Sequence, residues 1–144
     1  MSPSKQKITR VERLQSIEEN KLNALSVDLA IANAEVVRLQ QMSIDIQSQI
    51  DTTTLPDNNH VVQSHLQSML WLSHLEQKLQ QVAESIGQAE TARDEVMRRM
   101  IEQKVKVNGW EKLTDQMRTD FAMEQQAVES LEADDRYLNN PLTR

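Results

Sequence analysis

Apolar side chains recur at alternating steps of three and four residues from Leu72 to Leu138, and the phase never slips. One set of positions holds Leu72, Leu79, Ile86, Arg93, Met100, Val107, Thr114, Phe121, Val128 and Asp135. The other holds Leu75, Val82, Ala89, Val96, Gln103, Trp110, Met117, Glu124, Leu131 and Leu138. Fifteen of these twenty are apolar. A seam this narrow repeats every 3.5 residues on average. It fits a helix packed against another helix in a coiled coil, not the broader stripe of a globular helix. The phase predicts one helix from about 58 to 138, with Asn139, Asn140 and Pro141 ending it and a short tail over 139–144. Gly87 and the Asn108-Gly109 pair are its weak points, because a helical glycine costs up to about 1 kcal/mol relative to alanine. The phase carries across both, so continuity is expected, with room for bending.

A first helix, about 4–51, precedes it. Its seam reads Leu22, Leu25, Leu29, Ala32, Val36, Leu39, Ser43, Ile46 and Ile50, eight of nine apolar. Upstream, Ile8, Val11, Leu14 and Ile17 read as an apolar run one residue out of phase with Leu22. Local overwinding or a change of partner would accommodate it. The two seams are separated by Thr52-Thr53-Thr54-Leu55-Pro56-Asp57. β-Branched threonines and a proline interrupt helix there, and Asp57, Asn58 and Asn59 are good caps for the second helix. A loop this short makes neighbouring helices antiparallel. The expected fold is therefore all-α: a long antiparallel two-helix coiled-coil hairpin with a short loop and an overhanging C-terminal helix.

Composition agrees with a seam rather than a thick core: 38% of residues are hydrophobic, with two glycines, three prolines and no cysteine. The missing thiols exclude disulfides and thiolate metal sites and are compatible with a reducing compartment. No apolar run is long enough to span a bilayer, and the polar start, Met1 to Arg13, lacks a signal core. A net charge of −6 argues against nucleic acid as a partner. Charge is uneven. Lys5, Lys7, Arg10 and Arg13 oppose Glu12 alone, whereas Glu111 to Arg136 carries eight carboxylates against Lys112, Arg118 and Arg136. Solvated helix faces explain this, as do polar docking surfaces at the two chain ends.

Folding about the loop centre sets residue i opposite about residue 113 − i, so Ile8 faces the region of Val105. Beyond that point helix 2 has no mate for about thirty residues, roughly 45 Å at 1.5 Å per residue. Trp110, Leu113, Met117, Phe121, Val128 and Leu131 are expected to lie bare there and to need a partner.

Catalysis finds little support. His60, His65 and His74 make no metal-ligand set, and no nucleophile elbow, phosphate loop or pocket for raising a carboxyl pKa is present. No catalytic residue, metal or cofactor is assigned, and the chain is read as a non-enzyme. Arg93, Gln103, Thr114, Glu124 and Asp135 interrupt the seam. Polar seam residues set register at some cost in stability, and they also suit a polar partner. Trp71, beside Met69 to Leu72, either shields the loop-proximal end or anchors a partner.

The stretch Lys104-Val105-Lys106-Val107-Asn108-Gly109-Trp110-Glu111-Lys112-Leu113 resembles the FliJ family, the small component of the flagellar type III export apparatus. Glu124-Gln125-Gln126 through Leu131 to Asp134-Asp135-Arg136-Tyr137 is similar to that family's acidic C-terminal region, and Arg13-Leu14 and Leu29-Ala30-Ile31-Ala32 also fit. The resemblance covers nearly the whole chain. It implies a cytoplasmic stalk, peripheral at the inner-membrane base of the flagellum, that inserts in the ring of the hexameric export ATPase and promotes its assembly and turnover. It further implies contact with the cytoplasmic domain of the export gate and binding of export chaperones. Ring contacts would fall at Trp110, Leu113, Met117 and Phe121. Gate contacts would fall at Trp71, Leu75, Lys78 and Val82, of which Lys78 and Val82 depart from the family's small residue and histidine. A homo-oligomeric scaffold with overhangs paired between copies, or the equivalent stalk of a virulence-type secretion system, remain alternatives.

Overall fold

The computed structural model describes residues 4–53 and 62–139. They form two α-helices, α1 (Lys5–Thr52) and α2 (Val62–Asn139), and no strand. The helices pack against each other as an all-α helical hairpin. The expected loop, the start of helix 2 near 58 and most of the tail fall at 54–61 and 140–144, outside the described residues.

Ser4 caps α1. Its hydroxyl accepts from the Lys7 N–H at 3.2 Å, satisfying a donor that a helix start leaves orphaned, and its carbonyl accepts the first helical bond, from the Ile8 N–H. At the other end the threonines fold back on the last turn. Thr52 Oγ1 donates to Ser48 O at 2.9 Å and Thr53 Oγ1 to Gln49 O at 2.7 Å. The same side chains that weaken helix propensity at 52–53 thus close the helix by competing for its carbonyls. Helix α2 runs unbroken through Gly87 and Asn108-Gly109, as the phase expects. Neither glycine has a positive φ.

By contacts the chain divides into two compact units, Leu25–Arg99 and Met1–Ala24 with Met100–Arg144. In the first, Ile46, Leu75 and Val82 form a buried cluster, with Met42, Ile50, Leu79 and Ile86 packed against it. Val36 and Leu39 are buried as well. Every expected α1 seam position from Leu25 to Ile50 is buried or half-buried, Ser43 included.

In the second unit the seam differs from expectation. Ile8 is buried and Val11 half-buried, but the next covered positions are Gln15 and Glu18, leading on to Leu22. Those five keep the three-four step, so the phase does not slip upstream of Leu22. It is Leu14 and Ile17 that lie off the seam, 44% and 50% exposed. Two polar residues therefore occupy layers that hydrophobicity alone assigns to two apolar ones. Opposite them stand Gln103, Val107 and Thr114, all buried, the threonine only 1% exposed.

Candidate functional site

The expected pairing about the loop centre would set Glu18 opposite Glu95. The structure sets it opposite Gln103, about one heptad further along α2. Gln103 Nε2 donates to the Glu18 carbonyl at 3.0 Å and also to the Glu18 carboxylate. One buried amide thus spends both its protons on a single residue of the other helix. That hydrogen bond is the main reason the Glu18 carboxyl is held below the usual glutamate range, with the nearby Lys21 and Lys106 charges adding to it. Further out, the Arg118 guanidinium donates to Glu12 Oε1 at 3.0 Å across the seam. Both partners are largely exposed, so this pair marks register and adds little stability.

This register moves the end of the paired region. Trp110, Met117 and Phe121 are half-buried, and Thr114 Oγ1 donates to Trp110 O at 2.8 Å, which keeps the buried hydroxyl satisfied. Three of the four expected ring-contact residues are therefore partly covered within one molecule. Leu113 alone is exposed. The correction follows from register: α1 reaches further along α2 than a fold about the loop centre allows, so the overhang begins later. Every residue from 122 to 139 is exposed. At 1.5 Å per residue that stretch is about 27 Å long, not 45 Å.

The shorter overhang still carries a stripe. Met123, Val128, Leu131, Tyr137 and Leu138 are exposed large apolar side chains, Val128 at 45% and Leu131 at 66%. Glu124 and Asp135 occupy the same seam, and Glu129, Glu132 and Asp134 lie around it. Only Arg136 offsets the five carboxylates. This stretch of α2 therefore combines an uncovered apolar strip with a net negative charge.

The expected gate strip does not hold together as one surface. Trp71 and Lys78 are exposed, but Leu75 is only 1% exposed and Val82 is buried, both in the cluster with Ile46. Positions 75 and 82 share one heptad place facing α1, so they cannot face outward while α1 occupies it. What is exposed at this end of α2 is Val62, Leu66, Met69, Leu70 and Trp71. The Trp71 ring lies tilted on that of His74, centroids 5.7 Å apart.

No family model, curated protein or solved structure matches this chain.

Among the described residues no three His, Cys, Asp or Glu are grouped to hold a metal, and no helix combines the length and apolarity needed to cross a membrane. His65 and His74 are exposed on α2, and His60 lies outside the described residues. The lowered carboxyls, Glu18, Glu35 and Glu95, answer to a Gln103 amide and to the Arg38 and Arg98 guanidiniums. Sequence reasoning missed Gln15 and Glu18 as seam residues. The signal was present, since they continue the three-four step back from Leu22, but the adjacent Leu14 and Ile17 outweighed it on hydrophobicity.

Proposed function

We propose that this chain is a nonenzymatic coiled-coil coupling element, the stalk of a flagellar type III protein export apparatus. Its C-terminal overhang docks on the hexameric export ATPase and promotes ring assembly and turnover. Its loop-proximal end faces the cytoplasmic domain of the export gate, and export chaperones bind its outer faces. The working place is the cytoplasmic side of the inner membrane at the flagellar base, without insertion in the bilayer.

One observation carries this reading: α2 outlasts α1, and the stretch 122–139 presents Met123, Val128 and Leu131 with nothing covering them. Burying each such side chain fully would contribute roughly 1.5–3 kcal/mol, enough for a modest strip to hold a partner. The exposed Trp71, Met69 and Leu70 at the other end of α2 give a second anchor of the type enriched at binding hot spots. A hairpin with one contact surface near each end of its longer helix suits a coupling role, and the resemblance to FliJ supplies the partners.

The test is addition of the chain to its cognate ATPase. The expected outcome is more hexamer and faster turnover, lost in Val128→Glu/Leu131→Glu, a pair on the exposed overhang beyond the part of the seam that α1 covers. A wild-type chain that changes neither quantity would sink the reading. The scaffold alternative, in which the overhang serves only to join copies, predicts no ATPase effect at any concentration. A virulence-type stalk would respond to its own ATPase instead.

A further inference from the structure

Two exposed faces of the second compact unit carry the same pattern with opposite charge. On α1, Arg10, Leu14, Ile17 and Lys21 follow steps of four, three and four residues: base, apolar, apolar, base. On the overhang of α2, Glu124, Val128, Leu131 and Asp135 follow the same steps: acid, apolar, apolar, acid. Both runs span the same length, about 17 Å of helix. All eight residues are exposed. Leu14 and Ile17 are free for this use because Gln15 and Glu18 took their places in the seam. A shallow groove lined by Thr9, Glu12, Arg13, Ser16 and Ile17 runs beside them.

We propose that the overhang of one copy docks on this face of α1 in a second copy, pairing Glu124 with Arg10, Val128 with Leu14, Leu131 with Ile17 and Asp135 with Lys21. The two runs cannot meet within one chain. The unbroken α2 carries the overhang past the start of α1, and Lys21 lies back toward the loop. Between copies the match works with the two helices parallel. Since α1 and α2 of one copy are antiparallel, this sets the copies head to head about a two-fold axis, and each overhang reaches the other's α1. The contact is reciprocal and closes as a dimer. The reversed pairing would match the charges equally well but would stagger the copies into an open chain, and closed assemblies are the rule for soluble oligomers. Opposite charges at both ends of a short apolar centre also fix the register, since a slip of one heptad strands a carboxylate beside an isoleucine or leucine. Lys21 pairs with Glu18 at 3.3 Å, but its own side chain is 60% exposed, which leaves its ammonium able to turn toward Asp135. The dimer is a resting form that covers the overhang until a partner displaces it. It stands apart from the ATPase reading, because it requires only the purified chain.

The experiment is sedimentation equilibrium on the full chain from about 1 to several hundred micromolar, at low and high salt. The expected result is a reversible monomer–dimer equilibrium that weakens with salt. Glu124→Lys/Asp135→Lys should raise Kd about tenfold or more, since four attractive contacts in the symmetric dimer become repulsive. Adding Arg10→Glu/Lys21→Glu should restore it. Circular dichroism checks that each variant keeps its helicity, as expected for exposed positions. A monomer across the whole range, species that grow beyond dimer, or a dimer indifferent to the reversals and not rescued by the second pair would each overturn the proposal.

Discussion

At the scale of single residues, burial separates neighbours that the sequence makes look alike. Leu75 and Trp71 are both large apolar residues near the start of α2, yet Leu75 is 1% exposed and Trp71 is 48% exposed. Leu75→Ala removes side-chain volume from the cluster with Ile46 and Val82, and should cost about 2–5 kcal/mol in urea denaturation. Trp71→Ala should cost under about 1 kcal/mol. A surface role for Leu75 would reverse that order. Glu18 provides a second residue-scale prediction. Its folded carboxyl titrates below the usual glutamate range because Gln103 donates to the charged form. A carboxyl with a lowered folded pKa contributes stability above its unfolded value and loses it as pH falls through the folded one. Glu35 and Glu95, held down by Arg38 and Arg98, act in the same direction. Thermal midpoints should therefore be steady from neutral pH down to the ordinary glutamate range and fall below it. Glu18→Gln should flatten part of that fall, as read by ellipticity against temperature at a series of pH values.

At the scale of the elements, α2 is a helix made mostly of good helix formers with two glycines inside it. A Cβ built on Gly87 or Gly109 meets nothing within 4 Å, and neither residue has a positive φ. No close approach or turn in the described structure requires either glycine. Gly87→Ala and Gly109→Ala should each stabilise the protein by up to about 1 kcal/mol, through helix propensity and a less flexible unfolded chain. A destabilised Gly109→Ala would show that α2 bends at Asn108-Gly109 in solution. The reverse principle governs the end of α1, where Thr52 and Thr53 give up helix propensity and gain hydrogen bonds to carbonyls near the helix end. Both helix positions were legible from residue type alone, because propensity and capping act over a few neighbouring residues.

For the whole molecule, the consequence of unequal helices is unequal protection. Amides of 100–121 in α2 lie where α1 still covers the seam, whereas 122–139 stand exposed. Hydrogen exchange should be slow in the first stretch and markedly faster in the second, since a lone helix segment opens locally without disturbing the packed seam. Binding of a partner to the overhang should slow exchange at 122–139 and leave 62–99 unchanged. Protection of 122–139 in the dilute, monomeric chain would mean that the overhang is already covered. The helical hairpin and the presence of an overhang were readable in the sequence. The identity of the covered residues was not: Trp110, Met117 and Phe121 are half-buried against α1, and Leu75 and Val82 are buried in the core.

The amino-acid sequence by itself determined the two helices, the end of α1 at Thr52 and Thr53, the seam positions from Leu22 onward, and the fact that α2 is longer than α1. Each follows from local propensity or from a period along one chain. Tertiary structure alone decided which layer of α1 meets which layer of α2, and so where the overhang begins. The physical reason is that a heptad seam looks nearly the same after a slip of one repeat. Apolar spacing therefore fixes the facing side of each helix but not their relative position along the axis. Specific contacts break that degeneracy. Gln103 finds both hydrogen-bond acceptors on Glu18 and Arg118 finds Glu12, while Leu14 and Ile17 stay outside because the three-four step back from Leu22 turns them away from α2.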